Sequence, residues 1–436
     1  MSELRPEQES HRLWALIPAL VGVACALVAI RAFGFQRVEF GDANDYITAA
    51  RTFLDGMPYP RTGDFHPMFR PPLFPLFVAG VWKIFPGSVV ALKVGQALLH
   101  GATCLVIYFL GYELVRRRLP ALLGALVCAV NPLLIGLTVD FFTEPLHTLL
   151  LALGWLFLVR LLKDRASPYL HAALAGIAFG LATLCRPSAL GVVLCMLPVL
   201  ALLKAKEVGR TRAFAASAVV FVCMFAAIAP WTLYNYRTTG ELILVNDGGG
   251  YNFWLGSVPA SIRIYEGQFK DAEENQRFAD YFWGQSVKDK LAELERTDHY
   301  SSLRFNEREK VWRREAFKNI KQDYGLSARI TFGKFRAFWT PFLNRLVYGW
   351  KFVALIALFV IGLYVCGAYG AYILSRERLG REFVILLGVS FIVATLVHMV
   401  FMGIVRYRVP YADAYLSMLT GIALWQLGTK FFTKRT

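Results

Sequence analysis

Four carboxylates and five arginines stand out in this chain for where they fall. Asp42 opens a polar segment, Asp45 and Tyr46 follow three and four residues later, and Arg70 closes it. Asp140 and Glu144 occupy a gap of a few residues between two apolar blocks. Arg186, Arg237, Arg406 and Arg408 stand at the ends of other blocks. A carboxylate partly desolvated at a membrane surface has a raised pKa and suits proton abstraction. The arginine fork suits phosphate oxygens. Each residue also has a purely structural reading. Asp42 can cap a helix with Asp45 completing a capping-box-like pair. Glu144, followed by Pro145, can be an acid favoured by a helix dipole. Arg186 can snorkel to lipid headgroups.

The elements that must position these residues are apolar helices. Hydrophobic residues make up 56% of 436, and they fall in long blocks rather than amphipathic stripes. Residues 13–33 form one block, and others recur at 89–115, 119–139, 145–162, 168–185, 187–203, 211–230, 350–374, 382–405 and 409–428. A hydrocarbon core of roughly 30 Å takes about 20 residues of helix. Only a helix satisfies its own backbone there, so the expectation is an all-α polytopic membrane protein with about ten spans. The first block lacks a small-x-small cleavage site and is read as a retained helix.

The net charge of +16 reads as topology, with no nucleic-acid partner. Arg116 to Arg118, Lys163 with Arg165, Lys204 to Arg212, Arg376 to Arg381 and Lys430 to Arg435 all flank apolar blocks. The positive-inside rule assigns such clusters to the cytoplasm. Both termini then lie inside, while 34–88, 140–144, the tip at Arg186, 231–349 and Arg406 to Arg408 face outward. Pro71 to Phe85 is too short to span and reads as a half-helix in the outer leaflet, begun by Pro71-Pro72. All seven cysteines fall in apolar blocks, and no Cys/His metal spacing occurs. His100, His147, His171 and His398 sit in or at spans and read as hydrogen-bonded structural residues, while His66 in the first outer loop is a weak ligand candidate.

The domain expectation follows from this topology. It comprises 1–230 as a membrane module that includes the outer loop 34–88, 231–349 as a small outer-face domain, and 350–436 as closing helices. In the first loop Tyr46, Ala49, Ala50, Phe53 and Leu54 repeat at helical spacing and predict an interfacial helix ending at Gly56. In 231–349, Asn246 to Gly250 predicts a turn and Asn306 to Gln322 a charged helix. Phe332, Phe335, Phe338 and Trp339, interleaved with Lys334 and Arg336, predict an aromatic and basic re-entry anchor.

The stretch Gly41-Asp42-Ala43-Asn44-Asp45-Tyr46, then Ala50-Arg51, Leu54-Asp55-Gly56 and Arg70-Pro71-Pro72-Leu73, resembles the first outer loop of the GT-C glycosyltransferases. In particular it resembles family 39, the dolichyl-phosphate-mannose-protein mannosyltransferase-like and aminoarabinose transferase-like enzymes. Thr143-Glu144, Gly180 to Ala182 leading to Arg186-Pro187-Ser188, Pro230-Trp231 to Gly240, Gly248 to Gly256 and Arg406-Tyr407-Arg408-Val409-Pro410 agree in order along nearly the whole chain. Ala43 stands where a second acidic residue is usual, and Tyr234 where an arginine often precedes the asparagine.

The resemblance implies a GT-C-like bundle and inverting transfer of a sugar from a polyprenyl-phosphate carrier to a glycan, lipid or protein hydroxyl outside the cytoplasm. It makes Asp42 the catalytic base. Asp45, Tyr46, Arg70, Asp140, Glu144, Arg186, Arg237, Arg406 and Arg408 become substrate contacts, with one functional residue expected of the last two. No cofactor is assigned, although Glu144 with Asp42 leaves room for a divalent cation. Membrane lipids are the surrounding partners, and the bacterial inner membrane the expected location, with the site facing the periplasm. Two other readings remain. A lipid-linked-glycan transporter or flippase would carry charges in mid-span or show two related halves. A glycan polymerase or ligase would use pyrophosphate-linked donors.

Overall fold

The computed structural model describes residues 13–34, 41–57, 59, 61–62, 66–67, 70–164, 168–246 and 248–433; the side chains of 41, 42, 61, 62, 66, 67, 432 and 433 lie outside that description. Helix dominates it, relieved by one two-residue antiparallel ladder, β1 (Arg61–Thr62) with β2 (His66–Pro67).

Seven helices are long and apolar enough to cross a membrane among the described residues. They are α1 (Leu16–Phe33), α4 (Val89–Val115), α7 (Glu144–Lys163), α9 (Ser188–Val208), α10 (Arg210–Thr239), α18 (Trp350–Leu374) and α19 (Arg378–Val400). The remaining three of the ten apolar blocks are helical too, and each falls short for its own reason. Block 119–139 is split into α5 (Arg118–Ala129) and α6 (Pro132–Val139), bent by 44°. Pro132 cannot donate to the preceding turn, and Asn131 caps the new helix by accepting from Leu133 N (3.0 Å) and Leu134 N (3.3 Å). Counted as one span, this pair makes eight. Helix α8 (Tyr169–Cys185) has 17 residues, and α20 (Val405–Thr433) carries charges in its first turns.

The first loop supplies α2 (Gly41–Leu54), which ends at Gly56 with φ +64°, the left-handed region where glycine is unstrained. Helix α3 (Leu73–Ile84) has 12 residues, about 18 Å at 1.5 Å each, too short to span. Beyond α10 come α11 (Gly249–Ser257), α12 (Ile262–Glu266), α13 (Ala272–Asp280) and a π turn at Tyr281–Gln285. These are followed by α14 (Ser286–Asp298), α15 (Phe305–Gln322), α16 (Tyr324–Trp339) and α17 (Arg345–Tyr348). Phe278, Phe282, Leu294 and Trp312 close a second apolar cluster among α11 to α15, separate from the large core of the long helices.

Close helix contact explains how the ends are held in register. Helix α8 lies against α10, where a Cβ on Gly176 would stand 2.4 Å from Val220 O and one on Gly180 2.6 Å from Met224 O. Two glycines four apart on one face let the backbones meet, as small-xxx-small pairs do in membranes. Helix α20 packs on α5 and α18, and α7 on α4 and α8. The first turn of α7, the last of α8 and the first of α20 thereby meet at one end of the bundle.

Candidate active site

At that meeting point stands Glu144, fully buried in the first turn of α7. Arg186, the residue after α8, places Nη1 2.8 Å from Glu144 Oε1 and donates to Thr143 Oγ1 at 3.0 Å. From α20, Arg406 Nε lies 2.8 Å from the same Oε1. Thr143 Oγ1 donates to Glu144 Oε2 at 3.2 Å. One carboxylate therefore serves two guanidinium groups. The Arg186 side chain is 17% exposed and that of Arg406 22%, so both reach solvent while their anchor does not.

Aromatic faces complete the cradle. The Arg186 guanidinium lies 4.7 Å from the Tyr407 ring centre, and that of Arg406 lies 4.3 Å from Phe142 and 5.1 Å from Tyr407. Such stacking orients the planar forks. One turn along α7, His147 Nδ1 lies 3.1 Å from Ala182 O and Nε2 3.2 Å from Tyr411 OH, which is 2.8 Å from Ser188 Oγ. That buried chain ties α7, α8, α9 and α20 together directly beneath the cluster.

Arg408, two residues past Arg406, turns elsewhere. It is fully buried and pairs with Asp413 through Nε–Oδ2 at 3.0 Å and Nη2–Oδ1 at 3.2 Å. Its Nη1 donates to Phe338 O at 3.3 Å, to Thr340 O at 3.1 Å and to Tyr364 OH. This fork fastens α20 to the end of α16 and to α18. Asp140 follows α6, where buried Lys93 donates to Val139 O and interacts electrostatically with Asp140. Arg237 is exposed on the last turn of α10.

The loop residues form a second group. Asp45 Oδ2 pairs with Arg70 Nη2 at 2.9 Å, and the Arg70 guanidinium lies 5.3 Å over the buried Tyr46 ring. Tyr59 OH donates to Arg70 O at 2.9 Å, and Tyr59 N donates to Tyr234 OH at 2.8 Å. Burial raises the Tyr59 phenol above its ordinary range, so it stays a neutral donor. This group fixes Arg70 relative to α10. Asp42 lies on the first turn of α2, and its side chain is outside the described residues, as is that of His66.

Tyr59 and Phe142 were missing from the sequence reading, and Tyr407 entered it only as part of a motif. The signal for Tyr407 was present, since an aromatic between two arginines invites cation–π contact. Nothing local marks Phe142 or Tyr59, whose roles depend on distant segments. Among the described residues no group of three or more His, Cys, Asp or Glu side chains converges in a way that would hold a metal ion.

A family model described as dolichyl-phosphate-mannose-protein mannosyltransferase matches residues 69–234. The oligosaccharyltransferase AglB of Archaeoglobus fulgidus, solved with an inhibitory peptide and a dolichol-phosphate, is similar at TM-score 0.58 and 16% identity, over 99% of this chain and 52% of its own. The Archaeoglobus fulgidus oligosaccharyltransferase tethered to an acceptor peptide gives TM-score 0.60 at 16% identity, over 98% of this chain and 50% of its own. ArnT from Cupriavidus metallidurans, bound to undecaprenyl phosphate, aligns at TM-score 0.42 and 13% identity, over 87% and 77%. This chain spans about half the length of the oligosaccharyltransferases it resembles. No curated protein matches it in sequence.

Proposed function

We propose that this chain, a polytopic membrane protein with the fold of the GT-C glycosyltransferases, moves a sugar from a polyprenyl-phosphate carrier to a hydroxyl acceptor on the non-cytoplasmic face. The acceptor belongs to a glycan, lipid or protein, and the membrane is the bacterial inner membrane with the site toward the periplasm. The single observation that carries this reading is the convergence of Arg186 and Arg406 on buried Glu144 from segments 42 and 262 residues further along the chain. Two guanidinium groups gathered at one end of an apolar bundle suit the phosphodiester of a carrier whose lipid tail lies in the bilayer. The similarity to a transferase solved with a dolichol-phosphate points the same way.

In the proposed reaction the acceptor oxygen attacks C1 of the sugar on the face opposite the phosphate. The C1–O bond to phosphate breaks, its electron pair leaves on the polyprenyl phosphate, and the configuration at C1 inverts. The acceptor proton passes to a carboxylate, which we assign to Asp42. As the phosphate leaves, its charge rises from −1 to −2, and Arg186, Arg406 and Arg70 from the loop stabilise that gain. Arg408 serves as a staple that sets the angle of α20 and hence the position of Arg406. The 231–349 segment serves as the outer-face domain between the modules 1–230 and 350–436.

The test is Asp42→Asn in a form shown to insert and accumulate normally, beside a deletion. Mass profiles of membrane lipids, surface glycans and proteins identify the product missing in the deletion. The proposal expects Asp42→Asn to lose it too. An unchanged product in Asp42→Asn removes the base assignment, and a deletion with no missing glycosylated product removes the transferase reading.

A further inference from the structure

A cavity of about 480 Å³ lies among the segment after α10, the start of α11, α15 and the end of α19, within the range of small-ligand sites. Leu242, Leu244 and Phe253 form its apolar side, and Asn306, Glu309 and Arg313 of α15 its polar side. Its floor is the start of α11. There Glu309 Oε2 accepts from Gly250 N at 2.5 Å, and Gly250 has no room for a side chain, since a Cβ would stand 2.6 Å from Glu309 O. Gly249 is different. A Cβ there meets only Glu309 Oε2, at an ordinary 3.5 Å, and its φ is not in the left-handed region. What its missing side chain leaves is open space in the cavity.

Two connections link this space to the proposed site. Phe401 lines it and precedes Arg406 by five residues, at most roughly 18 Å of chain. On the other side, residues 243–245 run back along α10. Asn235 Nδ2 donates to Ile243 O at 2.9 Å, Thr232 Oγ1 to Leu244 O at 2.8 Å and Trp231 Nε1 to Val245 O at 2.6 Å. Tyr59 stacks edge-on to Trp231 with ring centres 5.0 Å apart and reaches Arg70.

That reversal also sets the depth. Trp231, Tyr234 and Tyr236 cluster at the end of a spanning helix, where aromatic belts mark the membrane interface. Leu242, 70% exposed, and Leu244, 40% exposed, are folded back to the same level. The apolar side of the cavity thus carries exposed leucines at the level of this aromatic belt, while its polar side belongs to the charged helix α15.

We propose that this cavity is the acceptor subsite and that its occupant is the hydroxyl-bearing headgroup of a membrane lipid, its tail leaving over Leu242 and Leu244. The inference rests on the transferase reading and selects the lipid class of acceptor within it.

The test uses the full chain in phosphatidylcholine vesicles and an octyl glucoside bearing a photoreactive diazirine in its chain. Labelling should map to peptides containing Leu242 to Phe253 and Phe401. Unlabelled octyl glucoside should compete, whereas free glucose and a water-soluble serine-containing hexapeptide should not. Gly249→Leu, which fills the floor, should cut labelling at least tenfold while dolichyl phosphate binding stays within twofold. Asn306→Trp, at the exposed rim, should do the same without altering the helix start. Undiminished labelling in both variants, or equal competition by glucose or the peptide, overturns the proposal. Failure of the wild type to bind dolichyl phosphate would instead strike the transferase reading, and the labelling map would still decide the cavity.

Discussion

Replacing Glu144 by glutamine keeps the shape of the side chain and removes the charge on which Arg186 and Arg406 converge. Both guanidinium contacts to Oε1 are 2.8 Å long, and Glu144 itself is fully buried. Removing one partner from a buried ion pair costs about 3–5 kcal/mol, because the remaining charge is stranded. Here the two arginines are 17% and 22% exposed and can lean toward water, so we take about 2–3 kcal/mol. If the forks must be held still to meet the departing phosphate, that figure appears in turnover as a loss of roughly 30- to 150-fold. The assay is product formation in membranes of a deletion strain carrying Glu144→Gln, normalised to inserted protein and read by mass spectrometry. Glu144→Asp, which keeps the charge but shortens the reach, should recover part of the loss. Turnover within twofold of wild type in correctly inserted Glu144→Gln would refute the reasoning, since the arginines would then need no common anchor.

Three further outcomes follow from contacts of different kinds. Asp413→Asn strands the fully buried Arg408 and should cost about 3–5 kcal/mol, seen as a lower unfolding midpoint in detergent, whereas Arg408→Met combined with Asp413→Leu should recover most of it. Burial pushes the Lys334 ammonium from 10.5 down to about 8; between those values the unfolded chain keeps a proton the folded chain has lost, so this residue makes stability rise with pH there. The gap in unfolding midpoint between Lys334→Met and wild type should therefore narrow from pH 8 to pH 10, and a constant gap would contradict this. Asp45→Asn releases Arg70 from a partly exposed pair worth up to about 1 kcal/mol, so stability should hardly change while dolichyl phosphate binding weakens two- to fivefold by titration.

Much of the fold was legible because lipid imposes a simple rule of length and apolarity, and all ten apolar blocks are helical. The rule says less where helices break or carry charge. Asn131-Pro132 marks the break between α5 and α6 openly in sequence, yet the 44° bend depends on what α5 and α6 pack against. Helix α20 runs through Arg408 and Asp413 because these two neutralise each other five residues apart, which hydropathy counts as two penalties. For the site, topology put Glu144, Arg186 and Arg406 at one end of the bundle, and the structure brings them into contact. Asp45 with Arg70 and Arg408 with Asp413 are pairings that composition cannot express, because each depends on a turn or a helix face. Tyr59 and Phe142 carry no pattern of their own and become visible only when chain segments up to 264 residues apart are folded together.

The central claim is that the Arg186–Glu144–Arg406 cluster holds the phosphate of a lipid carrier. Equilibrium binding of dolichyl phosphate to the purified chain in lipid nanodiscs tests it most directly, with wild type beside Arg186→Ala and Arg406→Ala. The account predicts saturable binding to wild type, weakened at least tenfold by each substitution, with Arg296→Ala, exposed on α14, as an unaffected control. Absence of binding to wild type, or equal affinity in all four proteins, would contradict it.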